Sequence, residues 1–293
     1  MINYQNGNGN ITLKNDGTRI IEYENNLKLD WPLNIDIRVS TSCSLGFNPK
    51  TLKSVCSFCH ESAVTNGIEC DYSKLKNKLF GLPRGIELAI GANSITNGLI
   101  DFLCWSFNEG YICNLTINQL HLNTYTKEIE KLINDKLING LGISFRTMNK
   151  KIPEFILNYQ NTVLHVICGI DSINDIIDAR EKLGFKKLLI LGEKNFGFNI
   201  GNVNLTTQKH KQWLWWVAKL FKLYDVVSFD NLALEQLQIR RFFTKSMWDE
   251  FYQMEHSFYI NAVDNYFAPS SRSDLKTDWN NFTIKEYFKQ LNN

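Results

Sequence analysis

Residues 35–59 read IDIRVSTSCSLGFNPKTLKSVCSFC, an alternating apolar pattern that runs straight into three cysteines. Ile35, Ile37 and Val39 are separated by single polar residues, the period of a strand with one buried face. Cys43, Cys56 and Cys59 come next in one loop, with 12 residues between the first two and a CxxC pair at the end. Three soft thiolates leaving one strand end suit either a zinc ion or an iron-sulfur cluster. A closed zinc site wants a fourth ligand, and His60 or Cys70 would supply it.

Beyond this loop the chain reads as a βα repeat. Strands are expected at 35–40, 86–90, 111–116, 141–144, 163–168, 187–191 and 226–229, each a short apolar run. Between them Ile129, Leu132, Ile133 and Leu137, then Ile173, Ile176 and Ile177, recur at helical spacing. A longer helix is expected over 209–224, with Trp213, Leu214, Trp216, Val217, Leu220 and Phe221 as its core stripe. Right-handed crossovers put all helices on one side of a curling sheet, so the fold class is α/β, an open or closed (β/α) barrel. Ligands then bind at the C-terminal strand ends. There the sequence places the three cysteines, Gly91-Ala92-Asn93, Thr116 and Asn118, Ser144 and Arg146, Gly169, Gly192 and Lys194, and Asp230-Asn231.

Three segments result. Residues 1–33 form an N-terminal β flap with a hairpin turn at Asp16-Gly17, and 34–229 the barrel-like body. Residues 230–293 form an extension over the barrel mouth, with a helix over 232–252 and a hairpin turning at Asp264-Asn265, then a short helix. Asp230 reads as a helix N-cap. Tyr259, Asp264 and Ser270-Ser271-Arg272 read chiefly as packing residues of that extension, and His121, His165, His210 and His256 share no spacing.

Of 293 residues, 44% are hydrophobic and 13% aromatic, enough for a large core. Lys and Arg number 32 against 30 Asp and Glu, and the net charge of +2 offers no global field for nucleic acid or an anionic membrane. No apolar run reaches the roughly 18 residues of a membrane span, and the polar start does not resemble an export signal. Seven cysteines, several in apolar surroundings, fit reduced thiols and a cytoplasmic protein.

A first strand running into a loop that ends Cys56-Ser57-Phe58-Cys59, then a second strand ending in a small-residue turn, resembles the radical S-adenosylmethionine (SAM) superfamily. The third-strand end NLTIN (114–118) and the fourth-strand end ISFR (143–146) are similar to that family's segments, so the likeness spans about 35–229. SFDNLALEQL at 228–237 also resembles uncharacterised radical-SAM-like proteins of phages. The resemblance implies a partial (β/α) barrel whose Cys43, Cys56 and Cys59 ligate a [4Fe-4S] cluster with one iron left for SAM. It implies that Phe58 meets the adenine, Gly91, Ala92 and Asn93 the methionine amine, and Ser144 and Arg146 the ribose or carboxylate. Thr116 and Asn118 would join the SAM site, and the segment from Val166 through Gly169 to Ile170 would edge the adenine. An electron donor such as flavodoxin or ferredoxin and an unidentified substrate complete the expectation. Two departures stand out. The gap after Cys43 is 12 residues where the common pattern has three, an enlarged loop also found in a deazaguanine synthase of the family. Asn93 replaces a glutamate, removing a charge-assisted contact to an ammonium group of about 1.5–3 kcal/mol. The alternative is a non-catalytic, zinc-stabilised binding protein on the same scaffold.

Overall fold

The computed structural model describes residues 1–56, 58–201, 207–251 and 257–292, so Ser57, Tyr252 and His256 lie outside the described residues. Strands β1 (Ile2–Asn6), β2 (Gly9–Leu13) and β3 (Arg19–Tyr23) form a small antiparallel sheet. The β2–β3 turn is the one expected at Asp16-Gly17: Gly17 takes φ +87°, and the Lys14 N–H donates to the Thr18 carbonyl at 2.9 Å.

The body begins with β4 (Asn34–Arg38), followed by β5 (Ser42–Phe47) inside the cysteine loop and helix α1 (Tyr72–Leu79). Strand and helix then alternate: β6 (Glu87–Ala92), α2 (Asn97–Glu109), β7 (Ile112–Asn118), α3 (Thr126–Asn134) and β8 (Gly140–Ser144). The alternation continues through α4 (Glu154–Asn158), β9 (Thr162–Ile167), α5 (Ile173–Glu181), β10 (Lys187–Leu191), α6 (Thr207–Leu223) and β11 (Val226–Phe229). All seven expected strands are present, each within two residues of its expected ends. Thr96 and Ser172 cap α2 and α5 through side-chain oxygens, and left-handed Gly110 stops α2.

The large sheet has the order β11-β10-β9-β8-β7-β6-β4, then β12 (Ser257–Asn261), β13 (Tyr266–Ala268) and β14 (Thr277–Asp278). Every pairing from β11 to β12 is parallel, and only the last two are antiparallel. The protein is thus an α/β protein built on one large, mostly parallel sheet. Apart from β5, which joins neither sheet, strands from β4 to β11 that follow one another in sequence are neighbours in the sheet, with no reversal of winding. The hairpin expected at Asp264-Asn265 is β12–β13, with Asn265 left-handed at φ +58°. Its first strand hydrogen-bonds to β4 along its whole length, which the period-two pattern does not foretell. The single helix expected over 232–252 is two, α7 (Asn231–Gln236) and α8 (Lys245–Phe251). Left-handed Gln238 and a short 3-10 turn at Ile239–Phe242 separate them. Helix α9 (Ile284–Leu291) closes the chain behind a Thr283–Glu286 capping box.

One face of the sheet carries Ile35, Ile37, Leu88, Ile90, Leu115, Ile117, Leu141, Ile143, Leu164, Val166, Leu188 and Ile190, all buried under the helices. Trp213, Val217 and Leu220 of α6 pack in the same core, whereas Trp215 stands exposed. The other face carries small and polar groups in register: Tyr259, Asp36, Ala89, Asn114 and Gly140 in one row, and Asn261, Arg38, Gly91, Thr116 and Gly142 in the next. The N-terminal sheet lies at the strands' N-terminal ends. Arg19 pairs with Glu87, Lys187 donates to the Asp16 carbonyl (2.6 Å), and Asn161 donates to the Asn15 carbonyl (2.8 Å). Among the described residues no helix is long and apolar enough to cross a membrane.

The junction of β10 with α7 gives a test of this packing. Asp230 accepts the Gly192 N–H (2.9 Å) and the Ala233 N–H (2.7 Å), drawing the helix so close that a Cβ on Gly192 would sit 2.8 Å from the Ala233 nitrogen and against Leu232. Gly192→Ala is expected to cost about 1–3 kcal/mol in denaturant unfolding. An unchanged midpoint would show that the contact is loose.

Candidate functional site

The cysteine loop returns on itself through its backbone. The Cys56 N–H donates to the Leu45 carbonyl at 3.3 Å, Asn48 and Lys53 pair across the excursion (2.8 Å), and the Cys59 N–H donates to the Cys56 carbonyl (3.1 Å). The 12-residue gap is therefore a closed excursion, and its two ends meet beside Cys43. All three thiols are free and half-buried. Burial pushes the Cys43 and Cys56 thiols up, and Cys59 adds to both, so the three lie within electrostatic reach of one another. Arg146 pulls Cys56 the other way. Cys43 Sγ is 3.6 Å from His121 Nε2. Among the described residues, no three His, Cys, Asp or Glu side chains are arranged to hold a metal ion.

Neither sequence candidate for a fourth ligand joins the trio. Cys70 is buried, its thiol pushed up to about 12 by desolvation and then by Glu69 and Asp71. His60 Nε2 is 2.9 Å from Glu61 Oε1 and 3.3 Å from Lys194 Nζ. A carboxylate only accepts, so Nε2 carries the proton and meets Lys194 as a charge. Burial lowers His60, leaving it neutral near pH 7. Glu61 also pairs with Arg38 (3.0 Å), and Lys194 donates to Ser271 Oγ (3.0 Å). This chain of polar groups ties the cysteine loop to β4, to the segment after β10 and to the β13–β14 connection.

Arg146 is the pivot of the other side. Its guanidinium lies 4.6 Å from the Phe58 ring centroid, and its Nη1 donates to Asp171 Oδ1 at 3.1 Å. Asp171 Oδ2 accepts the Ile167 N–H at 2.6 Å. Burial pushes Asp171 up to about 6 against those contacts, so it is ionised at neutral pH. The Arg146 Nε is buried without a hydrogen-bond partner. Gln119 holds the backbone behind it: its Oε1 accepts the Arg146 N–H (2.8 Å) and the Thr147 N–H (3.1 Å), and its amide donates to Thr147 and Lys150. Nothing in the sequence singles out Gln119. It is a buried amide with every group used, and its partners lie more than 25 residues away.

Phe58 faces Ile167, Ile170, Leu191 and Gly192 across a small cleft that His60 and Lys194 also line. The apolar edge expected from Val166 to Ile170 is therefore Ile167 and Ile170, because Val166 points into the helix layer and is fully buried. Gly169 is left-handed (φ +86°), and its carbonyl accepts from Lys209 at 2.9 Å. Gly91 is exposed, with open space where a Cβ would stand, while the Ala92 side chain is buried away from the polar face. Asn93 donates to the Ser40 carbonyl through a long 3.4 Å bond. Asn118 is partly spent in a local cap, accepting the Leu120 N–H at 3.0 Å. Thr116 and Ser144 share the polar face, with Ser144 in register with Asn118 and His165.

His165, which the sequence leaves unassigned, lies across Gly142. A Cβ there would stand 2.5 Å from its Nε2 and 2.8 Å from Thr116 Oγ1. Two glycines on β8 thus let His165 and Asn114 lie over the sheet. Asp36 is open to solvent, yet desolvation pushes its carboxyl up, the mark of a group lining a recess within the protein. Tyr259 neighbours it on β12. In comparisons with known proteins, no family model matches the sequence, and no curated protein matches it.

His165 supplies a pH test. Burial lowers its pKa from 6.5 to about 4, so the folded state favours the neutral ring. That contribution is fully present above 6.5 and is lost as pH falls toward 4, by no more than about 3 kcal/mol. His165→Gln is expected to flatten the loss of stability between these values in urea titrations at stepped pH. An acid limb of unchanged slope would place the titration elsewhere.

Proposed function

We propose that this protein is a radical SAM enzyme with a [4Fe-4S] cluster held by Cys43, Cys56 and Cys59 at the C-terminal ends of a partial (β/α) barrel. The observation that carries the reading is the closed excursion that brings Cys56 and Cys59 back beside Cys43 without a fourth ligand. Tetrahedral zinc with four closed ligands would want sulfurs about 3.8 Å apart around one centre. Cluster thiolates bind separate irons and need not converge on one point, and three of them leave one iron open. With Cys70 in the core and His60 engaged by Glu61, the donor set favours the cluster over structural zinc.

The sheet supports the same reading. Strands β4 and β6–β11 wind in one direction, and β12 lies beside β4 where the eighth strand of a (β/α) barrel belongs. The sheet's free edges are β11 and, beyond the β12–β13 hairpin, β14, so the arrangement is that of an open barrel whose lumen would be the polar face. The N-terminal sheet closes the far end, which would keep bulk water from that side of the lumen. When bound, the cluster and SAM supply one-electron cleavage of the sulfonium to methionine and a 5′-deoxyadenosyl radical that abstracts hydrogen.

The chain's own residues then bind and orient. Arg146 is locked by Asp171 and Gln119, so its unpartnered Nε is preset for the carboxylate of SAM. Phe58 and Ile167 edge the adenine. Their cleft has a volume of ≈ 40 Å³, and the two side chains would bound one edge of the ring. Asp36, Asn114, Thr116, His165 and Tyr259 are among the polar groups left on that face for a substrate.

Anaerobic reconstitution with iron and sulfide, then dithionite and SAM, is expected to yield 5′-deoxyadenosine, and Cys43→Ala, Cys56→Ala and Cys59→Ala each to abolish it. Failure of the wild-type protein to form a reducible cluster or to cleave SAM would overturn the proposal. Because Asn93 is held by a long bond to Ser40, Asn93→Glu is expected to tighten SAM binding about tenfold by adding a charge-assisted contact to the amine. Unchanged or weaker affinity in equilibrium dialysis would move the amine site away from residue 93.

A further inference from the structure

A second cavity, of ≈ 780 Å³, opens beside α7 and α8 and has a different character. Arg240, Arg241, Lys245 and Arg272 line it together with Phe243 and Trp248, whose rings pack 6.1 Å apart. Among the described residues Glu235 is the one acidic residue of its lining, which leaves a charge of +3 on them against +2 for the entire chain. The four basic side chains are exposed, and among the described residues none forms an ion pair. Arg241 does lie over the Phe242 ring at 5.0 Å. Like charges gathered around one hollow repel one another, so an anion bound there would relieve a cost already present.

We propose that this groove binds a nucleotide. Guanidinium forks match phosphate oxygens two at a time, and an aromatic wall suits a nucleobase. The volume falls within the roughly 300–1,000 Å³ of small-ligand sites. A single-stranded nucleic acid would instead call for aromatic platforms spaced along a track, whereas Phe243 and Trp248 form one cluster. The groove also adjoins the site described above. Arg272 follows Ser271, whose Oγ accepts from Lys194, and Lys194 lines the cleft of Phe58. Resting on the radical SAM reading for this clause alone, the nucleotide is the substrate class, held by its phosphates at the barrel mouth.

Calorimetric titration of the protein without cluster or SAM separates the two proposals, since it needs neither. ADP is the probe, with adenosine, inorganic pyrophosphate and an eight-nucleotide oligothymidylate as controls. ADP is expected to bind, to weaken as salt rises, and to bind at least tenfold tighter than adenosine or pyrophosphate. Arg240→Ala and Arg272→Ala, both at exposed positions that fold without them, are each expected to weaken ADP at least fivefold, and Trp248→Ala to weaken ADP more than pyrophosphate. No ADP binding at millimolar concentration, binding indifferent to both arginine variants, or an oligonucleotide that binds tenfold tighter than ADP would overturn the proposal. None of these outcomes bears on SAM cleavage.

Discussion

The constraint on which the structure depends is the division of the sheet into two chemically different faces. Parallel strands under a helical layer bury one face completely, and here that face is aliphatic from Ile35 to Ile190. In an ordinary doubly wound sheet the second face would be aliphatic as well. Instead it bears Asp36, Arg38, Asn114, Thr116, His165 and Lys187, with glycine at 140 and 142 to make room. Such a face is stable only when it lines a wet recess or a ligand site, because burying those groups unpaired would cost several kcal/mol. Winding in a single direction, with the crossover helices α1 to α6 packed in one core with the aliphatic side, leaves it free to do so.

That division places the chemistry. The cysteine loop leaves the first strand of the series and lands beside the ends of β8, β9 and β10, so Phe58 meets Arg146, Ile167 and Gly192. The contacts that hold this arrangement join loops to one another or to a strand end: Gln119 to the segment after β8, Asp171 to Arg146, Glu61 to Arg38 at the end of β4, Asp230 to Gly192. Gln119 and Asp230 accept backbone N–H groups, and the Arg146 and Arg38 charges each meet a carboxylate from another segment. The rim is therefore a network whose members fix one another.

Much of this is legible in the sequence. Local periodicity is enough to find seven strands, because each must be apolar on its helix side. It also places the three cysteines at one strand end. What it does not reveal is long-range. Ser257–Asn261 has the pattern of any strand, and its choice of β4 as a parallel partner depends on where the preceding chain delivers it. Val166 and Ile167 are equally apolar, and the one-residue difference in parity that sends one to the core and the other to the cleft comes from register. Gln119 and His165 stay hidden because a buried amide or a strand histidine carries no local signature. The break at Gln238 interrupts a pattern that is helical on both sides.

The proposed chemistry rests on three thiols of one loop, which would hold a cluster with one iron left for SAM. Electron paramagnetic resonance of the anaerobically reconstituted, dithionite-reduced protein, recorded without and with SAM, tests this most directly. The expected result is a signal typical of a reduced [4Fe-4S] cluster that changes when SAM is added, and that is absent from Cys43→Ala. A protein that purifies with one zinc per chain and gives no such signal after reconstitution, or a signal indifferent to SAM, would contradict it.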